Sequence, residues 1–205
     1  MRSGFLFLVV CNSIIRFTER FYNAVQRRLM MILIENKKII IRSLEKKDLE
    51  GLRKMIENPN VYRYEPTFLT ERQGTPEEAL SVIMSMDLQR DRQCIYGVFE
   101  TAAPDVLTGL AELYDYKPSG KVISIGCRFA EEFWNRGLAT QTTIALTEFL
   151  RENTGVELVT AHAMPHNTGS GKVLTKIGFE YLYTKEEDWG TGRPVTADVY
   201  TMDLV

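Results

Sequence analysis

The stretch HNTGSGKV, residues 166–173, invites reading as a nucleotide site. Walker-type loops place Gly, four free positions and then Gly-Lys-Ser/Thr, because glycine lets backbone N–H groups turn onto phosphate while the hydroxyl holds Mg²⁺. With Gly171-Lys172 as the pair, His166 stands at the leading glycine position and Val173 at the hydroxyl position, so the pattern fails. FWNRGLATQTT, at 133–143, is a better anion site. Gly137 and Ala139 are small enough for the backbone to approach a ligand, and Arg136 adds charge. The helix that follows begins with unpaired N–H groups and a positive dipole end, which together favour a pyrophosphate. The same residues suit a plain tight turn from strand to helix, and this stretch alone does not separate the two readings. The only histidines, His162 and His166, have the i,i+4 spacing of a helical metal pair, but Pro165 between them breaks such a helix. They read as a strand end and a loop. Cys11, Cys94 and Cys127 are odd in number and far apart, which fits neither a disulfide framework nor a zinc site and points to a reducing cytoplasm.

These groups must be positioned by a fold of modest size. The chain has 205 residues, 44% hydrophobic and 25% charged, enough for one globular domain with a substantial core. A net charge of −2 gives no basic excess for nucleic acid. The apolar run in MRSGFLFLVVC is too short to span a bilayer and no small-residue cleavage site follows it, so no stable membrane insertion is expected. Residues 1–31 read as an N-terminal extension, and 32–205 as the folded domain. From residue 38, KIIIRSL reads as a strand and EKKDLEGLRKMIENP as an amphipathic helix stopped by Pro59. NVYRYEPTFLTERQG has no period and reads as loop. TPEEALSVIMSMDLQRD predicts one helix, opened by a Thr75–Glu78 capping box with Pro76 at its first position. Strands follow at 94–100, 106–116 and 121–129, then a long helix from Gly137 to Asn153 with Gly155 as its stop. A strand VELVTAHAM, a short helix ending at Gly178 and two last strands complete the order β-α-α-β-β-β-α-β-α-β-β. That alternation is α+β, a mixed sheet with helices on both faces.

Trp134-Asn-Arg-Gly-Leu-Ala139 resembles the Gln/Arg-x-x-Gly-x-Gly/Ala loop of the GNAT acetyltransferases, and the Thr-Gln that follows is in the manner of their ribosomal-protein N-terminal acetyltransferase (RimJ/RimL-like) branch. Asn167-Thr-Gly-Ser170-Gly-Lys-Val173-Leu-Thr-Lys176-Ile-Gly178-Phe179 resembles that branch's Asn-x-x-Ser-x-x-Val-Leu-x-Lys-x-Gly-Phe, with seven fixed positions agreeing. The resemblance covers about residues 32–205. It implies a mostly antiparallel sheet whose fourth and fifth strands, here 122–129 and 158–163, splay apart. It implies acetyl-CoA as co-substrate, with its pyrophosphate on the turn Trp134, Asn135, Arg136, Gly137, Leu138, Ala139 and Thr140. The pantetheine arm would pair with the backbone of Cys127 and Phe129 as an added strand does. HNTGSGKV then becomes the far wall of the cleft, with Asn167 reaching the cofactor and Lys172 facing solvent or a CoA phosphate.

In such enzymes an amine attacks the thioester directly. The amine must lose a proton, the developing oxyanion needs an N–H donor, and the leaving thiolate gains from an acid. The Tyr that many members carry after the Val position is Leu174 here, so the resemblance passes the acid role to Ser170, which also suits a helix cap. The branch's strand-four Glu is Ser124, leaving Glu112 on the neighbouring strand as candidate base, or else a solvated strand residue. Tyr62, Tyr64 and Glu65 lie in the irregular loop where the family forms its acceptor site. The expected activity is transfer of acetyl from acetyl-CoA to a primary amine: a protein N-terminal α-amine, or a polyamine, amino acid or antibiotic. A non-catalytic acyl-CoA-binding module is the alternative. No metal is expected, and the family allows a homodimer.

Overall fold

A computed structural model describes residues 32–64, 74–189, 192 and 194–205. The extension 1–31 and Glu65 therefore lie outside the described residues. Eight strands form one sheet in the order β1-β2-β3-β4-β5-β6-β8-β7. They are β1 (Ile32–Glu35), β2 (Ile39–Arg42), β3 (Cys94–Glu100), β4 (Ala103–Lys117), β5 (Val122–Phe129), β6 (Leu158–Ala163), β7 (Glu180–Asp188) and β8 (Pro194–Asp203). Every neighbouring pair is antiparallel except β5 with β6. The helices are α1 (Leu49–Glu57), α2 (Pro76–Ser85), α3 (Leu88–Asp91), α4 (Leu138–Asn153) and α5 (Thr168–Lys176). This is the α+β fold with a mixed, mostly antiparallel sheet that the element order predicts.

The alternation of side chains along each strand builds two cores, one on each face. Ile39 and Ile41 point into a cluster with Val98, Ala111, Leu113, Ile123, Ile125 and the α4 residues Ala145, Leu146 and Leu150. Ile40, between them, joins the opposite cluster with Leu52 and Met55 of α1, Leu80 and Ile83 of α2, Phe99 and Leu110. Each such side chain taken fully from water contributes about 1.5–3 kcal/mol. Arg42 is buried at the same place. Its guanidinium donates two bonds, of 2.8 and 2.9 Å, to Asp48 and lies 3.8 Å over the Phe99 ring.

Four local differences from the sequence reading have identifiable causes. The strand β1 precedes the first expected one, so the splayed pair is the fifth and sixth strand rather than the fourth and fifth. It is four residues long, and the polar turn after it is organised by Asn36, whose Oδ1 accepts the N–H groups of Lys38 and Ile39. The helix expected over 75–91 is two, because Met86 is extended and Asp87 caps a new turn, accepting from the Arg90 N–H. The strand expected at 106–116 runs from Ala103 to Lys117. Gly155 does not stop α4. Thr154 does, with its N–H and hydroxyl both donating to the Leu150 carbonyl, at 3.2 and 2.6 Å. Gly178 ends α5 as expected, at φ +100°, with Phe179 N–H bonded back to the Leu174 carbonyl.

Candidate active site

The parallel pairing of β5 and β6 consists of Val122 with Leu158, Ile123 with Val159 and Ser124 with Thr160, and then stops. Both strands continue, but with other partners. β5 stays paired with β4 as far as Phe129, and β6 with β8 as far as Ala163. The result is a gap between 125–129 and 161–163, closed at its base by a 2.7 Å bond between the Ser124 and Thr160 hydroxyls. The Ala130 N–H donates to the Thr108 carbonyl of β4 at 3.0 Å. In an antiparallel ladder this fixes the alternation: even residues of β5 address β4, and the peptide groups of Cys127 and Phe129 turn towards the gap.

At the mouth of the gap the chain makes a short 3₁₀ turn, Glu131–Phe133, and two left-handed residues, Asn135 (φ +59°) and Gly137 (φ +76°), before entering α4. Nothing lies within 4 Å of where a Cβ on Gly137 would be, so the space over the helix start is open. Leu138, Ala139 and Thr140 occupy the first turn, whose N–H groups have no partner within the helix. Two of the expected contributors are otherwise engaged. Arg136 pairs with Glu100 at 2.8 Å and lies over the Phe133 ring, while the Trp134 indole N–H donates to the Phe129 carbonyl at 2.8 Å. Beside this helix start a cleft of about 360 Å³ carries Lys37 and Lys38 from the β1–β2 turn.

The far wall is α5. Asn167 is its cap, accepting from the Ser170 N–H at 3.2 Å. Ser170 is therefore not the capping residue; its own hydroxyl makes no hydrogen bond among the described residues and is half-buried. Gly171 packs closely under the sheet, since a Cβ there would stand 3.0 Å from the Tyr200 hydroxyl. Lys172 is exposed and lines a cleft of about 450 Å³ with Asn167, Lys176, Asp198 and Tyr200. That cleft lies on the β8 side of α5, not in the gap between β5 and β6.

The opposite face of the sheet carries a second group. Glu112 is not solvated: it is buried and its Oε1 accepts from Arg128 Nε at 2.7 Å. Tyr62 is buried with them, its ring 5.4 Å from the Arg128 guanidinium, so the loop reading of this tyrosine and the strand reading of Glu112 meet at one residue. Tyr64 instead stacks with Arg63. The loop is tied to the β5–α4 connection by Asn58 and Asn60, which both donate to Glu131 Oε2. Opposite Glu112 stands Gly126, where a Cβ would lie 3.6 Å from Tyr114 and 3.9 Å from Glu112 Oε2. The glycine thus leaves a notch about one methyl group wide beside a carboxylate oxygen and a phenol ring. His162, also on this face, makes an edge contact with Tyr114 at 6.2 Å between centroids. Its Nδ1 lies 2.8 Å from Glu187 Oε1, which also accepts from the Trp189 indole at 2.7 Å. Burial pushes the Glu187 carboxyl up, but bonds from Lys185 and Trp189 and the nearby His162 outweigh it and hold it below its usual range. Sequence reading weighs His162 only as half of a metal pair with His166 and does not single out Arg128, Tyr114 or Glu187. Thr160 and His162 share a strand face by simple alternation, but Glu187 is 25 residues further on in an acidic run that looks solvated.

A sheet parted at one end, with a helix start beside the opening, is an arrangement able to take an elongated ligand between two strands. Residues 38–180 match the family model described as the acetyltransferase (GNAT) domain, and the chain belongs to that family. It is an acetyl-CoA-dependent N-acetyltransferase. It is 24% identical over 173 residues to an uncharacterized N-acetyltransferase, YnaD, of Bacillus subtilis (strain 168), covering 76% of this chain and 91% of the relative. Its fold matches a GNAT-family acetyltransferase from Bacillus anthracis with a TM-score of 0.70 at 20% identity, over 85% of this chain and 99% of the other. It also matches RimL, a ribosomal L7/L12 α-N-protein acetyltransferase in complex with coenzyme A, with a TM-score of 0.70 at 15% identity, over 84% and 97% of the two chains. Among the described residues no helix is long and apolar enough to cross a membrane.

Proposed function

We propose that the acceptor is a primary amine, a peptide N-terminal α-amine or a small amine, entering over Gly126 from the face of Glu112 and Tyr114. The observation that carries this reading is the notch at Gly126, where Glu112 Oε2 lies 3.9 Å from the place a Cβ would take while Oε1 is bound by Arg128. A carboxylate so placed suits an ammonium, and Arg128 keeps it from swinging away. Residues 134–140 and the gap-facing peptides of Cys127 and Phe129 are the groups that would hold the acyl donor, which fits the open helix start and the parted strands. When bound, acetyl-CoA supplies a thioester carbonyl for the amine to attack. The peptide N–H groups of β5 that face the gap suit a developing oxyanion there. Ser170, with its unengaged hydroxyl, is the proposed acid for the departing sulfur, and Asn167 is the α5 residue that would reach the cofactor, while Lys172 faces the cleft on the β8 side. The resemblance to RimL in both fold and the Asn-x-x-Ser pattern supports a peptide amine as the first substrate to try. The test is a free-thiol assay with acetyl-CoA and peptides beginning in Ala, Ser or Met, spermidine, free amino acids and an aminoglycoside. Thiol release with one of these is expected, falling in Ser170→Ala with CoA affinity retained. Tight CoA binding with no release for any amine would leave only a binding module.

A further inference from the structure

We propose that His162, held by Glu187, is the group that removes the proton from the acceptor amine. The inference rests on the acceptor entering over Gly126, as argued above. Three observations carry it. First, His162 lies on the acceptor face. The Ser124–Thr160 hydroxyl bond places Thr160 on the face of Glu112, Tyr114 and Gly126, and His162 is the next residue of β6 on that side. It is also the first one beyond the last β5–β6 pair, where the strands have parted. Second, its orientation is fixed by a partner from far away in the sheet. His162 pairs with Val199 of β8, whereas Glu187 of β7 pairs with Val195, four residues further along. In a flat sheet that offset is about 13 Å. A contact of 2.8 Å therefore requires the β7–β8 hairpin to curl back over the acceptor face. Third, Glu187 is itself anchored twice, by Trp189 and by Lys185 Nζ at 2.6 Å. A carboxylate fixed in this way holds Nδ1–H and leaves Nε2 as the acceptor, the arrangement that orients a general base.

Glu112 is poorly suited to the same task because one of its oxygens is already spent on Arg128 in a buried pair. Its free oxygen can attract an ammonium; the proton needs another destination. His162 is the imidazole on this face. The titratable groups around it are Tyr114 and Glu112 from β4, and Glu187 and Lys185 from β7, while β8 presents Val199. The balance is simple. The ammonium gives one proton to His162 Nε2, directly or through one water. The amine nitrogen then bonds to the acyl carbon as the carbon–sulfur bond breaks, and its second proton ends on the thiolate. His162 returns its proton to solvent.

The experiment compares the full chain with His162→Gln and Glu187→Gln, using acetyl-CoA and the best amine of the panel. At pH 7, kcat/KM of His162→Gln is expected to fall about 100-fold. The deficit should shrink above about pH 9, where a peptide α-amine is already unprotonated in solution. CoA affinity and melting temperature should be unchanged. Glu187→Gln should show a smaller loss with the same pH signature, and it carries the test should the first variant fold poorly. A loss below tenfold, or one that is constant with pH, overturns the assignment. With two histidines in the chain, imidazole ¹⁵N spectra give an independent reading, with His166→Gln fixing which signals are which. A neutral His162 protonated on Nδ1 supports the role; a proton on Nε2 in the neutral ring overturns it. If no amine yields thiol in the unmodified protein, the acceptor reading fails instead, and the spectra still test the His162–Glu187 pair.

Discussion

Glu112 and Arg128 offer the sharpest test of how the acceptor face is built. Their side chains are 9% and 5% exposed, and they meet at 2.7 Å between two neighbouring central strands. Taking Arg128 away removes the cation that faces the buried Glu112 carboxylate, and taking Glu112 away removes the carboxylate that accepts from Arg128 Nε. Buried pairs broken in this way cost about 3–5 kcal/mol, whereas replacing both partners by apolar residues of similar volume is close to neutral. Glu112→Ala and Arg128→Ala are each expected to lose that amount, lowering the melting temperature by on the order of 10 °C for a domain of this size. The double variant Glu112→Leu/Arg128→Met should recover most of it, giving a coupling energy of several kcal/mol. Urea unfolding of the four proteins, without CoA, closes the cycle. Activity should not return in the double variant, because the carboxylate facing Gly126 is gone. A single-variant cost under about 1 kcal/mol, in the range of a surface pair, would mean that water reaches these charges and that the pair does not behave as a buried one.

Other changes isolate single terms. Thr142 in α4 is fully buried, and its hydroxyl finds no partner among the described residues, so Thr142→Val should stabilise by about 1 kcal/mol, read from the urea midpoint. Gly137→Ala meets no neighbour, and its cost of about 1–2 kcal/mol comes from a left-handed backbone alone; a larger loss would point to an unrecognised contact. Glu187 is held below the usual carboxylate range, so the stability it contributes is present above about pH 4.3 and is lost as pH falls through its lowered folded value. Glu187→Gln should therefore flatten the acid limb of a melting temperature versus pH curve, and an unchanged limb would remove this carboxyl from the acid response.

The fold was legible because its signals are local. The β-branched run IIIR, the Thr75–Glu78 box and the Gly178 stop each name their own element, and each appears where expected. The helix start at Gly137 was legible for the same reason. What was missed depends on distance or on competition. The break at Met86 arises because Asp87 offers the backbone a better cap than continued helix, and periodicity does not register such a choice. The state of Glu112 is set by Arg128, and that of His162 by Glu187; both partners come from other strands, so neither isolated segment reveals them. Arg136 has the charge that its position calls for, but the Glu100 carboxylate at the end of β3 engages it first.

The hydroxyl pair at Ser124 and Thr160 works as a rivet at the foot of a wedge. Above it neither strand relies on the other, since each keeps a full partner on its far side. Loading and emptying the wedge therefore breaks no backbone pairing, and the protein can turn over without unzipping any part of its sheet.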